Sequence, residues 1–233
     1  MIVNHTVQFM KKNGPTTKPR KPVQGRPKDA RKREDIVQAA SDLFMKEGYE
    51  LTSMEAVARK ADVSKLTIYS HFTDKSELFR EVICQRCTRL GTPESFAALQ
   101  QEPADKALMQ LGLTFVTHIF SQNSVRLHRI MQAEAERHPE VVQIFYEAGP
   151  KRIRTAFGDL LKAWVQQNQL SIPDITKATE QFFSLLKGEM LMKIILRSAP
   201  LPDPSALKKH VQATVDFFLA AYRSKKTSSR SKA

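Results

Sequence analysis

Residues 52–75, TSMEAVARKADVSKLTIYSHFTDK, contain the pattern that decides the fold of this chain. The pattern predicts two short helices joined by a tight turn, with a third helix starting directly afterwards. Thr52 with Glu55 is expected to form a capping box that opens the first of these helices, and Asp74 with Glu77 one that opens the last. Two short helices across a tight turn are the arrangement that lets a helix enter the major groove of DNA.

The helix between the two capping boxes is predicted to expose a compact set of polar and aromatic side chains. Ser64 is expected to act as its N-cap rather than to read bases. A lysine can donate to guanine, a leucine or threonine methyl can touch the thymine methyl, and short hydroxyls reach base edges or phosphates. The residues that we expect near the bases are Lys65, Leu66, Thr67 and Ser70. Tyr69 and His71 are longer and are expected to reach phosphates at the groove walls.

The net charge of +13 is concentrated at the two ends of the chain. Residues 1–34 hold ten Lys and Arg residues against two acidic ones, and residues 223–233 hold five against none. The segment between them is balanced, with 22 basic and 22 acidic residues. Basic tails attract polyanions such as nucleic acid. Arg26, in the run Gly25 to Lys28, therefore either enters a narrow minor groove or belongs to a solvated tail.

Beyond residue 30 the pattern predicts an all-α fold, with helical periodicity punctuated by proline, glycine and aspartate and no strand alternation. The first helix is expected over about residues 30–46, with Gly48 in a left-handed C-cap. Further helices are predicted at about 105–121, 124–137, 139–148, 150–168, 174–197 and 204–223, after a linker or short helical turn at 91–103. The division follows: a disordered basic arm over 1–29, a DNA-binding domain over 30–90, a helical regulatory and dimerisation domain over 91–223, and a basic tail over 224–233.

Several other classes of protein are disfavoured by the sequence. No run of 18 apolar residues predicts a membrane span, and no secretory signal is visible, so residence in the cytoplasm is expected. No nucleophile elbow, phosphate loop or zinc-protease motif is found, so the chain is not expected to be an enzyme or to need a cofactor. His118 and His128 lack a metal-ligand spacing. Cys84 and Cys87 cannot close a zinc site, and are either two part-buried thiols or a redox switch.

The residues from about Arg31 to Arg89 resemble the TetR family of bacterial transcriptional regulators. The resemblance rests on Gly48, Val57-Ala58, Val63-Ser64-Lys65, Thr67-Ile68-Tyr69 and His71-Phe72, with further matches at Phe44, Thr52, Met54, Ala61, Lys75 and Leu78-Phe79. Asp62 departs from the family, which usually has glycine in the turn. The resemblance implies that the phosphate anchors are Thr52, Ser53, Tyr69, His71 and Lys75.

The second half of the chain resembles, more weakly, the regulatory domains of efflux-type repressors of this family, notably the AefR-like group. The matching stretches are residues 133–140, AEAERHPE, and 145–150, FYEAGP. The resemblance implies a ligand-responsive repressor with a role in efflux regulation, which binds a palindromic operator as a homodimer.

The apolar stripes of segments 174–197 and 204–223 are wide enough for burial on two sides, so they are the expected dimer contacts. An apolar or aromatic effector is expected in a pocket drawn from Phe115, His118, Met131, Glu134, Phe145, Trp164, Phe183 and Met190, although for any one of these residues ordinary core is the alternative. Three functional alternatives stay open: a redox-responsive regulator using the two cysteines, a non-specific architectural DNA-binding protein, and an activator instead of a repressor.

Overall fold

A computed structural model describes residues 28–88 and 93–224, and within these ranges the regular secondary structure is helical, with one isolated bridge between Leu170 and Arg223. The all-α prediction is therefore confirmed. The helices are α1 (Lys28–Leu51), α2 (Met54–Lys60), α3 (Lys65–His71), α4 (Lys75–Thr88), α5 (Pro93–Leu99), α6 (Ala104–Ile119), α7 (Gln122–Glu134), α8 (Pro139–Tyr146), α9 (Arg152–Gln166), α10 (Ile175–Ile195) and α11 (Pro204–Tyr222), with a π-helical turn at Glu147–Lys151 between α8 and α9.

Helix α1 is longer than the sequence predicted. It runs to Leu51, with a break at Gly48, whose φ of 85° and ψ of 176° are not helical. The positive φ is as expected for glycine at this point, but the chain resumes a helical turn instead of ending there. A similar break at Gly188, with φ 51°, divides α10. Asp62 also has a positive φ, 53°, so aspartate holds the turn between α2 and α3 where the family has glycine.

One predicted capping box is wrong and the other is confirmed. Ser53, not Thr52, is the N-cap of α2, and its hydroxyl accepts a bond from the Ala56 N–H at 3.1 Å. Asp74 accepts from the Glu77 N–H at 2.8 Å at the start of α4, and Glu77 reaches back to the Thr73 N–H. The first prediction failed because the last turn of α1 continues to Leu51 and takes Thr52 into its end.

Two apolar clusters form the core. The first contains residues of the four helices α1, α2, α3 and α4. It is centred on Phe44 and Phe79, whose rings meet edge to face at 5.1 Å. Leu127 and Met131 of α7 belong to the same cluster, together with Val141 of α8. The four N-terminal helices are therefore packed directly on the second half of the chain. The larger cluster lies among α5, α6, α9, α10 and α11.

Candidate DNA-binding surface and effector cavity

Helix α3 has one face fixed in the core and one face open. Ile68 is fully buried, and Phe72 directly after the helix is buried beside it. Ser64 caps the helix, because its hydroxyl accepts from the Thr67 N–H at 3.0 Å. On the opposite face Leu66 is 81% exposed and Tyr69 is 42% exposed. A single exposed leucine is common on protein surfaces. Here it lies among short polar side chains on the exposed face of a short helix, which is the composition expected of a helix that enters the major groove.

The hydroxyl groups of α3 and of its N-cap make only local contacts, so they remain available to a ligand. Ser70 donates to the Thr67 carbonyl at 2.7 Å, and the Ser64 and Thr67 hydroxyls are 2.8 Å apart. Lys65 has a partner on α2: its ammonium lies 2.7 Å from the Glu55 carboxylate. That contact raises the pKa of Lys65 and lowers the pKa of Glu55, and both side chains remain partly exposed to solvent. A base contact from Lys65 would have to compete with this ion pair.

Three of the expected phosphate anchors lie at helix ends, but they differ in exposure. Ser53 is exposed at the start of α2. The His71 imidazole is 3.2 Å from the Asp29 carboxylate, with only 10% of its side chain exposed. Lys75 donates to the carbonyls of Tyr49 at 3.0 Å and Glu50 at 3.2 Å, and its ammonium lies 4.4 Å from the Tyr49 ring. Lys75 therefore also ties the start of α4 to the last turn of α1.

Thr52 requires a correction. The residue is 1% exposed, its hydroxyl donates to the Gly48 carbonyl at 2.7 Å, and its N–H bonds to the Tyr49 carbonyl. Its polar groups are thus hydrogen-bonded inside the protein. The hydroxyl stabilises the backbone at Gly48 and is not presented to phosphate. Arg26 lies outside the described residues, as do residues 1–27 of the basic arm and 225–233 of the tail.

A second candidate site is a cavity of about 110 Å³ between α4 and helices of the second half of the chain, which we name the effector cavity. Four of the eight predicted pocket residues line it: Phe115, His118, Phe145 and Phe183. The other lining residues are Ile83, Arg86 and Cys87 of α4, Ile119 of α6, Ser124, Leu127 and His128 of α7, Pro150, Ile153, Arg154 and Lys187. Its walls thus come from α4, α6, α7, α8, α9 and α10.

The other four predicted pocket residues do not line the effector cavity. Trp164 is fully buried in the larger core cluster, and Met190 packs against that cluster. Met131 is buried with the N-terminal helices. Glu134 turns toward α1, where its carboxylate lies 3.3 Å from the place that a Cβ on Gly48 would occupy. Apolar periodicity marks burial but does not distinguish a cavity wall from solid core, which explains these errors.

The cationic residues of the effector cavity were missed. Lys187 stands between Leu186 and Met190 in the otherwise apolar stripe of α10, and this interruption was the available signal. Burial lowers the pKa of Lys187, and the nearby Arg154 lowers it further. Burial also lowers the pKa of His128, opposed by its bond to the Ser124 carbonyl, while Lys187 adds to the decrease.

The two cysteines are free thiols on one face of α4. Burial is the main cause that raises the pKa of Cys87, to about 11, and the neighbouring Cys84 adds to it. The Cys84 sulfur is 3.1 Å from the Arg152 guanidinium. A thiol with a raised pKa is a poor nucleophile at neutral pH, so Cys87 lacks the property that a redox sensor needs.

Metal sites and membrane-spanning helices are both absent from the part of the chain that the structure describes. Residues 28–88 and 93–224 contain no group of three or more His, Cys, Asp or Glu side chains placed to hold a metal ion. Within the same ranges no helix is long and apolar enough to cross a membrane.

Comparisons with known proteins agree with this geometry. Residues 36–82 match the family model for bacterial regulatory proteins of the tetR family, and residues 106–224 match the model for the C-terminal domain of AefR-like transcriptional repressors. An uncharacterized HTH-type transcriptional regulator of Bacillus subtilis, YvkB, is 24% identical over 72% of this chain and 86% of its own length.

Solved structures show the same similarity. A putative TetR-family transcriptional regulator from Mesorhizobium loti superposes with a TM-score of 0.73, at 28% identity, over 85% of this chain and all of that one. The flavonoid-responsive regulator FrrA superposes with a TM-score of 0.65, at 30% identity, over 83% of this chain and 98% of its own.

Proposed function

This chain belongs to the TetR family of bacterial regulatory proteins, and from that premise we propose that it is a homodimeric repressor that a small molecule releases from a palindromic operator. Its relatives are DNA-binding transcriptional regulators, not enzymes. The observation that carries the ligand response is the position of α4. This helix starts beside α3 with Lys75 and supplies Ile83, Arg86 and Cys87 to the effector cavity. We place its action in the cytoplasm, where its DNA target lies.

In this proposal the open face of α3 enters the major groove. Lys65, Leu66, Thr67 and Ser70 face the bases, and Ser64 keeps the helix start in place. The phosphate contacts come from Ser53, Tyr69, His71 and Lys75, together with the N–H groups at the starts of α2 and α4. Because the body of the protein is neutral, most of the non-specific attraction comes from the basic arm, with Arg26 in the adjacent minor groove.

The dimer is proposed to form through α10 and α11, whose outer faces carry apolar side chains. On α11, Phe217 is 64% exposed, and Ala213 and Ala220 are exposed beside it at helical spacing. On α10, Met192 is 53% exposed, and Leu196, directly after the helix, is also exposed. A second copy that covers these stripes would bring two α3 helices to successive major grooves, about 34–36 Å apart.

An effector acts in this scheme only through a difference in affinity between the DNA-bound and the released state. The first half of the chain packs on α7, and Arg126 of α7 donates to the Lys46 carbonyl of α1 at 3.2 Å. Arg129 of the same helix donates to the carbonyls of Ile194 and Ile195 at the end of α10. These bonds connect the DNA-binding helices, the cavity wall and the proposed dimer helices.

Selection of bound sequences from random DNA tests the proposal. We expect an enriched motif with two symmetric half-sites, and a footprint that spans both. The variant Leu66→Ala is expected to change the preferred bases more than the total affinity, whereas Leu201→Ala, an exposed leucine far along the chain, should change neither. No enriched motif, together with binding that simply decreases with salt, would instead establish a non-specific architectural protein.

A further inference from the structure

We propose that the effector cavity binds a small aromatic carboxylate, with its single ring among phenylalanine side chains and its carboxylate held by Lys187 and Arg154. This inference rests on the proposed function and deepens it, because it names the chemical class of the effector. Three independent properties of the cavity lead to it: the chemistry of its walls, the sign of its charges and its size.

The apolar walls present aromatic rings from three helices. Phe115 of α6 and Phe183 of α10 lie with their ring centroids 4.9 Å apart and their planes at 60°. Phe145 of α8 meets the His128 ring edge to face, at 5.8 Å and 84°. Rings in tilted and edge-to-face contact offer both faces and edges to a further ring, which is the arrangement that aromatic pairs prefer.

The charged groups of the cavity are all of one sign. Arg86, Arg154 and Lys187 line it from three different helices, and its described lining contains no aspartate or glutamate. Neither Arg154 nor Lys187 forms an ion pair with a carboxylate in the described ranges. The Arg154 guanidinium instead lies 5.7 Å from the Tyr146 ring. Half-buried cations without an acid cost free energy, and an anionic ligand would offset that cost.

The pKa shifts of the cationic groups in the cavity favour binding of an anion there. Burial and then the charge of Arg154 lower the pKa of Lys187, and Lys187 in turn contributes to the lowered pKa of His128. The charge of Arg154 therefore disfavours protonation of Lys187, and the charge of Lys187 disfavours protonation of His128. A carboxylate placed between Lys187 and Arg154 would accept hydrogen bonds from an ammonium and a planar guanidinium, the strongest donors for that group.

The size of the cavity selects a single ring. A volume of about 110 Å³ is smaller than an apolar cavity of about 150 Å³ that accepts benzene, so one ring is the upper limit. A long acyl chain or several fused rings would exceed it. Acetate would satisfy the charge but leave the aromatic wall uncovered, whereas a neutral ring would cover the wall and leave the cations unpaired. Benzoate meets both requirements, so it is the probe of choice.

The first experiment compares four probes by titration calorimetry on the full-length protein: benzoate, benzamide, benzylamine and acetate. We expect benzoate to bind at least about tenfold more tightly than each of the others, since only benzoate pairs the cations and covers the wall. Equal binding of benzamide or benzylamine, or no binding of benzoate at millimolar concentration, would overturn the inference.

The second experiment removes the charges one at a time. Lys187→Met and Arg154→Met keep most of each stem, and each is expected to weaken benzoate about tenfold or more while leaving benzamide unaffected. Lys162→Met, an exposed lysine of α9 that pairs with Asp159, is the matched control and should bind benzoate like the wild type. Benzoate affinity that is unchanged in both variants and in their combination would show that the two cations do not hold the ligand.

A third measurement separates this inference from the proposed function. Operator release is followed by fluorescence anisotropy of labelled DNA while benzoate is added. Tight, charge-dependent binding of benzoate without any release would support the ligand class and contradict the ligand-responsive repressor. Release of the operator by a neutral aromatic that binds as well as benzoate would support the repressor and contradict the ligand class.

Discussion

Lys75 has two roles at the scale of a single residue, one observed and one proposed. Its ammonium donates to the Tyr49 and Glu50 carbonyls, which the break at Gly48 leaves near the end of α1. The proposed role is a phosphate contact at the start of α4. The two roles are compatible, because an ammonium has three donors and the structure shows two carbonyl partners.

We predict that Lys75→Met weakens binding to every DNA sequence and reduces the slope of log affinity against log salt by about one. It should also lower the free energy of unfolding by about 1 kcal/mol, since two charge-assisted bonds to carbonyls are lost. Anisotropy titrations at several salt concentrations measure the first effect, and urea denaturation the second. Lys162→Met is the control for the loss of an exposed lysine. Wild-type operator affinity at every salt concentration would exclude the phosphate role.

Cys87 gives a residue-scale test of the redox alternative. Its thiol pKa is raised from 9.0 to about 11, so at pH 8 the reactive thiolate should be about a hundredfold rarer than in the unfolded chain. We expect iodoacetamide to label Cys87 in the native protein about a hundredfold more slowly than in urea, as followed by mass spectrometry of peptides. Rapid native labelling, or loss of DNA binding on mild oxidation that Cys87→Ser prevents, would revive the redox alternative.

At the scale of elements, the contact of α6 with α11 depends on a close approach. A Cβ on Gly112 would lie 2.6 Å from the Val211 Cγ1 atom, closer than two carbons can pack. Gly158 of α9 is the opposite case, because a Cβ there would meet Ile175 and Thr179 at 3.6 Å, which is ordinary contact. Both glycines lie inside helices, but only at Gly112 would a Cβ atom clash with a neighbouring helix.

We predict that Gly112→Ala lowers the free energy of unfolding by about 1–3 kcal/mol, because Val211 has to move or α11 has to shift. Gly158→Ala should be neutral or raise it by up to about 1 kcal/mol, since alanine is the better helix former. Urea denaturation of both variants at 25 °C measures the difference. Equal effects of the two substitutions would contradict the close approach of α6 and α11.

At the scale of the whole molecule, the proposed dimer decides whether one α3 helix or two can act on DNA. Exposed Phe217 and Met192 belong to outer faces of α11 and α10 that the described chain leaves uncovered. Covering these faces removes apolar surface from water, which is the usual driving force for a stable homodimer.

We predict that Phe217→Asp converts the dimer to a monomer and weakens operator binding by about a hundredfold or more, because each monomer holds only one half-site. Sedimentation equilibrium measures the first effect, and anisotropy the second. Phe217→Leu keeps an apolar side chain at the same place and should retain both properties. A wild-type protein that sediments as a monomer at micromolar concentration would contradict the proposed dimer.

Local rules predicted the DNA-binding half well. Ser64 and Asp74 act as expected, because a helix cap depends on a side chain and on a backbone N–H three residues away. The prediction for Thr52 failed because the start of α2 does not depend on local contacts alone. Whether Thr52 or Ser53 begins α2 depends on where α1 ends, and that end is held by Lys75, more than twenty residues further along the chain.

The sequence by itself determined the all-α fold, the approximate positions of the helices and the exposed face of α3, because each depends on short-range spacing, and its motifs indicated the family. Tertiary structure alone decided which apolar residues surround a cavity and which are solid core. It also brought Arg86, Arg154 and Lys187 together from α4, α9 and α10. Helical periodicity reports which face of a helix is buried, but not what that face is buried against, so a site assembled from distant helices becomes visible only after they pack.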